Sequence, residues 1–579
     1  QAQDSIPKAQ VFKSVQTLKI GSQNLKFNTL AGTMELRDEK NKPIALHGFT
    51  AYFKQGETKN RPIVFSFNGG PGSSSYWLHM GIMGPKRIVV TDPDYNKAAP
   101  YKLVDNPYSI LDMADVVMMD PIGTGLSELI GESKGKDFWG VDQDIRSTSL
   151  FIMQFLKKHN RLQSPKYLLG ESYGTFRNAG VMNYLLDKGF ALNGVIMVSA
   201  VFDLRTLTFP PNDDLPYIVH LPTYAATSRY HKKLTKEMNT LNLESFINEV
   251  REFTENEYTP ALFKGTSISE NHKNKIAERL VKYVGLTKEY WLTANLKVKA
   301  SEYFNELLRN ESKTVGRLDS RYIGINENPK NQYAITDPQS DAISPPYTVG
   351  FLDYLHGSLN VSKELNYKTS AYADEDFKWD WSHKGNRGWG TQIAINTSID
   401  MASAMSKDPN LKVLIMNGYY DLATVQATDQ YGNIMCTYAS CADVPGTGDG
   451  CLYANSFAEY NCGFSATDCV NYGGQACVDP TSGCMDSNAS NYDDTALNVA
   501  YDHCGNILCS YDSCDDVLLT YAEGACLYGS SSLGLWQPDA DVPFGSTECE
   551  SYGGTACLPQ AVESDLFFSE AAEGSGWGN

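Results

Sequence analysis

Gly170-Glu171-Ser172-Tyr173-Gly174 stands between an apolar run, Ser164 to Leu169, and a segment, Thr175 to Leu186, whose apolar residues recur at helical spacing. A serine set between two glycines at a strand-to-helix junction is the signature of a nucleophile elbow, a strained turn that lifts the hydroxyl above the end of a sheet. Both glycines are then required, because a Cβ on either side of the turn would strike a neighbouring strand or helix. The pentapeptide recurs by chance; with its flanks it predicts an α/β sheet with Ser172 at a strand's C-terminal end.

The rest of the body is read against that sheet. Gln16 to Ile20, Leu25 to Thr29, Gly32 to Leu36 and Ala45 to Phe53 read as short strands separated by turn residues, an antiparallel lead-in over residues 1–60. Arg61 to Phe67 is a buried-type strand that runs into Asn68-Gly69-Gly70-Pro71-Gly72-Ser73-Ser74-Ser75. This loop lacks the lysine of a phosphate-binding loop, so it reads better as an oxyanion loop, whose glycines let a backbone N–H point into a site. Val116 to Asp120 and Gly194 to Ala200 are further strands, and Asp142 to His159 is an amphipathic helix. Alternating strands and helices imply a parallel, doubly wound sheet over residues 61–204. Residues 205–340 change to helical segments rich in Lys, Glu and Tyr, an inserted helical cap. The α/β pattern returns over residues 341–428, with a helix at Ile395 to Met405 and a strand at Leu411 to Gly418. Asp421 follows that strand at the end where ligands and reacting groups gather in such sheets.

Four stretches now stand in order: Asn68 to Ser75, Asp120-Pro121-Ile122-Gly123-Thr124-Gly125-Leu126-Ser127, Gly170 to Gly174, and Asn417-Gly418-Tyr419-Tyr420-Asp421-Leu422-Ala423-Thr424. In sequence, order and separation they resemble the serine carboxypeptidase family of α/β hydrolases, its bacterial members in particular, over about residues 10–428. The resemblance implies a peptide substrate, Ser172 as nucleophile, Asp421 as the acid of the triad, and the N–H groups of Gly70 and Tyr173 as oxyanion hole. It also places Asn68 and Glu171 where the family holds a substrate's terminal carboxylate. Such a pair attracts only when one carboxyl is protonated, which favours low pH. No cofactor or metal is implied for the body.

Two departures accompany the likeness. Ile82-Met83 stands before Gly84-Pro85, where family members that trim peptides often carry a Glu. The Gly-His-Met segment that brings the family's base has no counterpart after Asp421, and His503 is the one histidine beyond that point. Without an imidazole to take its proton a serine is a poor nucleophile. Two readings therefore stand: a hydrolase whose base comes from His503 in the tail or a cap histidine such as His220, and a non-catalytic surface or assembly protein that kept the fold.

Composition separates the tail, residues 429–579. It holds all 13 cysteines and 22 of the 68 acids but none of the 49 bases, so the net charge of −19 divides into +3 for the body and −22 for the tail. Asp429 to Cys441 returns as Asp502 to Cys514 at an offset of 73, and Thr467 to Cys477 as Thr547 to Cys557 at an offset of 80. A duplicated small module with six cysteines per copy explains this, Cys484 lying between the copies. Cysteines in a loop-rich acidic segment predict disulfides and an irregular, small-β fold in an oxidising setting. The paired Cys-x-x-Cys of the rival zinc array is missing. Gly483 to Asp494 resembles Asp/Asn repeats near the ends of secreted Bacteroidetes proteins, and its side-chain oxygens suit either calcium or a solvated acidic turn.

No run reaches the roughly 18 apolar residues of a membrane helix, and Gln1-Ala2-Gln3-Asp4 carries no apolar signal core. The expectation is a mature secreted or cell-surface protein. Nucleic acid is excluded as a partner by the acidic balance, and a cell-surface or self-assembly partner is expected through the tail. A self-repelling segment with few aliphatic residues needs cross-links to hold a fold. Reduction is therefore expected to speed cleavage of the tail by an acid-specific protease, and a chelator to speed it further. Equal rates before and after reduction, read by gel and mass spectrometry, contradict a disulfide-held tail.

Overall fold

A computed structural model describes residues 7–56, 60–332, 336–384 and 395–424, together with eight short strands between residues 450 and 557. The chain divides into two compact units, Gln1–Ile434 and Met435–Asn579.

In the first unit β1 (Val11–Ile20), β2 (Gln23–Arg37) and β3 (Pro43–Lys54) form an antiparallel meander. β4 (Ile63–Phe67) enters the sheet centre, and a separate hairpin pairs β5 (Lys86–Ile88) with β6 (Leu103–Asp105). β7 (Asp115–Asp120), β8 (Glu128–Leu129), β9 (Lys166–Glu171) and β10 (Gly194–Val198) follow. A second hairpin, β11 (Lys313–Val315) with β12 (Ile323–Ile325), lies in the helical region before β13 (Lys412–Met416) closes the edge. The main sheet runs β1-β2-β3-β7-β4-β9-β10-β13, with β8 beside β3.

β7, β4, β9, β10 and β13 are parallel, but β3 meets β7 antiparallel. The antiparallel lead-in and the parallel strands after it, both expected from sequence, are thus joined in one mixed sheet. The short connections from β1 to β3 leave no room for a crossover, so these strands pair as hairpins. Leu25 to Thr29 and Gly32 to Leu36 are also one strand, not two. The β2–β3 ladder runs unbroken from Phe27 opposite Lys54 to Leu36 opposite Ala45, and Gly32 sits inside it.

Alternation along the central strands explains why both faces are covered. Ile63, Phe65, Val117 and Met119 face one core, with Ile145, Phe151 and Phe155 of helix Val141–Lys158 and Phe176, Val181 and Leu185 of helix Tyr173–Asp187. Val64, Val116 and Met118 face the other, against Phe351, Tyr354 and Leu355 of helix Pro338–Gly357. A third core belongs to the helices between Leu215 and Glu306, around the fully buried Trp291, and it includes Leu422 beside Asp421. Those helices start where a short polar side chain accepts a first-turn N–H, as Asn242, Ser269 and Thr287 do. In the second unit two three-stranded sheets share one order, the first of their strands at the centre: Gly450–Tyr453 between Ser456–Glu459 and Gln475–Cys477, and Ala525–Tyr528 between Ser532–Leu535 and Thr555–Cys557.

Two buried charge clusters join elements that are distant in sequence. Asp115 accepts from Arg61 at 2.9 Å and from Arg161 at 2.6 Å, which binds together the entrances of β4, β7 and β9. His383 lies between Asp142 (Nδ1 to Oδ1, 2.6 Å) and Asp400 (Nε2 to Oδ2, 2.8 Å), joining helix Val141–Lys158 to helix Ser398–Lys407. Burial pulls the imidazole down, but the hydrogen bonds and charges of Asp142 and Asp400 outweigh it and raise its pKa to about 9. The folded value lies above the unfolded one, so the stabilisation is complete below about pH 6.5 and is lost as pH rises through about 9. Urea unfolding is expected to show wild type exceeding His383→Gln by on the order of 2–3 kcal/mol at pH 6, the gap closing by pH 9.5. A gap independent of pH contradicts a charged His383.

Candidate active site

β9 ends at Glu171, and Ser172 turns the chain into helix Tyr173–Asp187 with φ 56° and ψ −127°, a left-handed conformation in which a non-glycine residue is strained. The turn is held from both sides: Ser172 N–H donates to Val198 O at 2.9 Å, and Thr175 N–H donates to Ser172 O at 2.8 Å. A Cβ on Gly170 would lie 2.3 Å from Gly174 O. One on Gly69 would lie 2.3 Å from the Tyr173 nitrogen, so the loop after β4 can approach the elbow only as glycine. Among the described residues the N–H groups of Gly70 and Tyr173 have no acceptor.

Ser172, Asp421, Asn68, Glu171 and Gly70 line one cavity of about 460 Å³. Tyr173 is not among the residues that line it; its ring is buried and packs 5.4 Å from the Arg177 guanidinium. Asn68 is fixed through both ends of its amide: its Nδ2 donates to Glu171 Oε2 at 2.8 Å, and its Oδ1 accepts from Leu78 N–H at 3.0 Å. Burial raises the Glu171 carboxyl to about 6; the Asn68 hydrogen bond opposes this and the nearby Asp421 charge adds to it. Asp421 is 8 % exposed. Its Oδ1 accepts the N–H groups of Ala423 at 2.8 Å and Thr424 at 2.9 Å, and its Oδ2 accepts the Thr424 hydroxyl. Burial nevertheless lifts its carboxyl above the usual range.

No described histidine lines this cavity. His220 is buried in the cap, its Nδ1 2.8 Å from Pro216 O, and it also meets the Leu422 backbone. It is therefore set beside the Asp421 turn, without lining the cavity itself. His47 stacks on Phe151, His79 bonds Tyr52, and His231 bonds Ser320 O. His503 and the Asp/Asn cluster of the tail lie outside the described residues, as do the tail's cysteine side chains.

Other lining residues carry no motif. Ile82, in the segment where family members that trim peptides often carry a Glu, gives the cavity an apolar wall with Trp77, Leu318, Ile343 and Tyr347. Ser199 sits at the exit of β10 and hydrogen-bonds Asp421. Arg317 comes from the β11–β12 loop. Ile82 and Ser199 lie next to recognisable motifs in sequence, whereas Arg317 reaches the cavity through tertiary packing alone.

A mixed sheet covered on both faces, with a serine on a strand-to-helix elbow and an acid after the last strand, defines an α/β hydrolase. Within that class the chain belongs to the serine carboxypeptidase family, whose profile matches residues 21–432. A vacuolar serine-type carboxypeptidase of Saccharomyces cerevisiae, ATG42, is 28 % identical over 203 residues, 33 % of this chain and 35 % of that protein. Serine carboxypeptidase-like 36 of Arabidopsis thaliana is 27 % identical over 175 residues, 29 % and 33 % of the two chains. The match thus spans about a third of these relatives' length. A crystal structure of Kex1(Δp), a prohormone-processing carboxypeptidase of Saccharomyces cerevisiae, aligns over 70 % of this chain and 75 % of its own with 15 % identity and a TM-score of 0.39.

The Glu171 carboxyl yields a prediction that needs no substrate. Its folded pKa of about 6 lies above the ordinary 4.5, so the folded state binds the proton more tightly and loses stability as pH rises through that window. Glu171→Gln, which keeps the shape without the charge, is expected to be more stable than wild type at pH 7 by up to about 2 kcal/mol. At pH 4 the two are expected to unfold alike. Calorimetric melts at both pH values check this; an advantage that is the same at both contradicts a raised Glu171.

Proposed function

We propose that this chain is a secreted serine carboxypeptidase-type hydrolase that removes residues from peptide C-termini through an acyl-enzyme. The observation that carries the reading is the single cavity shared by Ser172, Asp421, Gly70 and the Asn68–Glu171 pair. In this reading the terminal carboxylate of the peptide accepts from Asn68 and from protonated Glu171. Ser172 Oγ attacks the last peptide carbonyl while its proton passes to an imidazole base. The N–H groups of Gly70 and Tyr173 hold the oxyanion. Asp421 orients the base and balances its charge. The C–N bond then breaks, the base protonates the leaving amine, and water repeats the sequence on the Ser172 ester to regenerate the serine.

A second reading, a catalytically inactive carboxypeptidase fold serving a surface or assembly role through the tail, is favoured by one specific observation. The oxygens of Asp421 are occupied by its own turn, through Ala423 and Thr424, rather than directed at a described histidine. Disulfides, and calcium at the Asp/Asn cluster, would then give the tail the rigidity an anchor needs.

A fluorophosphonate probe separates the readings, because it labels only an activated serine. The hydrolase predicts labelling of wild type that is abolished in Ser172→Ala; a loss of at least about a hundredfold in His503→Ala assigns the base to that residue. Labelling retained in His503→Ala but lost in Ser172→Ala moves the base elsewhere. Absence of labelling anywhere from pH 4 to 8 leaves the inactive reading standing.

A further inference from the structure

Among the described residues, the lining of the cavity over Ser172 has two acids, Glu171 and Asp421, and a single cation, Arg317. Arg317 belongs to the loop between β11 and β12, and that loop is fixed to the functional turn itself. Leu422 N–H donates to Arg317 O at 3.0 Å and Ser320 N–H donates to Tyr420 O at 2.8 Å, one bond on each side of Asp421. On the opposite flank the N–H groups of Arg317 and Leu318 donate to the two oxygens of Asp337 at 3.0 and 3.3 Å, and Asp337 also caps helix Pro338–Gly357 through Gln339 N–H at 3.1 Å. The main chain of Arg317 is thus held on both sides, whereas its exposed guanidinium has no ion-pair or hydrogen-bond partner among the described residues.

Fixing a cation's main chain at the wall of a reaction cavity, with its planar fork free, is what recognition of a carboxylate requires, and the fork matches two carboxylate oxygens at once. Trp77, Ile82, Leu318 and Tyr347 give the same lining an apolar part, beside the polar Gln339 and Ser340. We propose that Arg317 is a specificity-determining residue that selects peptides with an acidic side chain in one of the two residues flanking the scissile bond. The inference rests on the proposed function for the identity of the ligand as a peptide. There the terminal carboxylate is already held by Asn68 and Glu171, which leaves Arg317 for a second carboxylate. Steric selection by the apolar wall is the alternative, and it does not distinguish Glu from Gln.

Binding is measured on the full chain carrying Ser172→Ala, so that turnover does not enter. The probes are N-terminally labelled tetrapeptides with Glu, Gln or Lys at the last or next-to-last position, read by fluorescence anisotropy at pH 5. Glu peptides are expected to bind about fivefold to tenfold tighter than Gln peptides at one of the two positions. Adding Arg317→Ala is expected to remove that ratio, Arg317→Lys to keep part of it, and Arg317→Glu to turn the preference towards Lys. Because only the main chain of Arg317 bonds to its surroundings, these variants are expected to melt with wild type. Equal binding of Glu and Gln peptides, or a preference that survives Arg317→Ala, overturns the proposal. So does an Arg317 effect that is equal for Glu and Gln peptides and vanishes on C-terminal amidation, which assigns Arg317 to the terminal carboxylate. Wild type is assayed in parallel for release of the last residue. Cleavage without acidic preference sinks Arg317 and leaves the hydrolase. Arg317-dependent binding without cleavage sinks the hydrolase and leaves Arg317. A cavity that binds none of the peptides sinks both.

Discussion

The site depends on one buried ion pair behind the elbow. Arg177, one turn into the helix that follows Ser172, is fully buried and donates through Nε to Asp144 Oδ2 at 2.6 Å and through Nη1 to Asn68 O at 2.9 Å. Its guanidinium also lies 5.0 Å from the Phe67 ring centre and 5.4 Å from that of Tyr173. Helix Val141–Lys158, the exit of β4 and the elbow helix therefore share one cation. A buried charge deprived of its partner is worth a loss of about 3–5 kcal/mol, so neither Arg177 nor Asp144 can be removed alone without disturbing what they join. Gly69, pressed against the Tyr173 nitrogen, and Asn68, whose carbonyl Arg177 holds, are where that constraint reaches the cavity.

How much of this was legible in the sequence follows from the range of the forces involved. The elbow is local: Gly170, Ser172 and Gly174 are needed by backbone geometry within one turn, and the apolar strand and periodic helix beside them announce themselves by pattern. The order of the motifs carried the family and the placing of Asn68, Glu171 and Asp421 at strand ends, where the sheet brings them to one cavity. The direction of β3 against β7 was not legible, because an apolar strand reads alike in parallel and antiparallel pairing. Nor was the continuity of β2, where Gly32 looks like a turn and is paired within the ladder. Arg317 and His383 illustrate the limit best. Each is a single charged residue in a loop with no repeat or spacing around it, and its role comes from partners between about 17 and 241 positions away in the chain.

The cap is built into the chemistry of the turn it covers. Leu422 is a member of the cap's own apolar core, while Asp421 beside it lines the cavity together with Ser172. Tyr420 and Leu422 exchange backbone hydrogen bonds with the β11–β12 loop on either side of the acid. His231 reinforces the contact by binding Ser320 O, which ties the end of helix Leu215–Tyr230 to the same loop. Any shift of the cap relative to the sheet must therefore move Arg317 and the Asp421 turn together, so the width of the cavity and the placing of the acid are not independent variables. A cap and turn so joined hold a ligand between them in one geometry, which suits both a positioned peptide bond and a binding site without chemistry.

The electrostatics of the cavity follow from the same crowding. Glu171 and Asp421 lie close enough for each charge to oppose the other, and burial penalises both, Glu171 reaching about 6. Below that pH Glu171 is neutral; above it the lining carries one more negative charge. An incoming carboxylate then meets net repulsion unless the site regains a proton, since a like charge within about 4–6 Å disfavours the ionised form. A ligand with two carboxylates brings this penalty twice and has one guanidinium to offset it. The cavity thus repels anionic ligands less while Glu171 holds its proton.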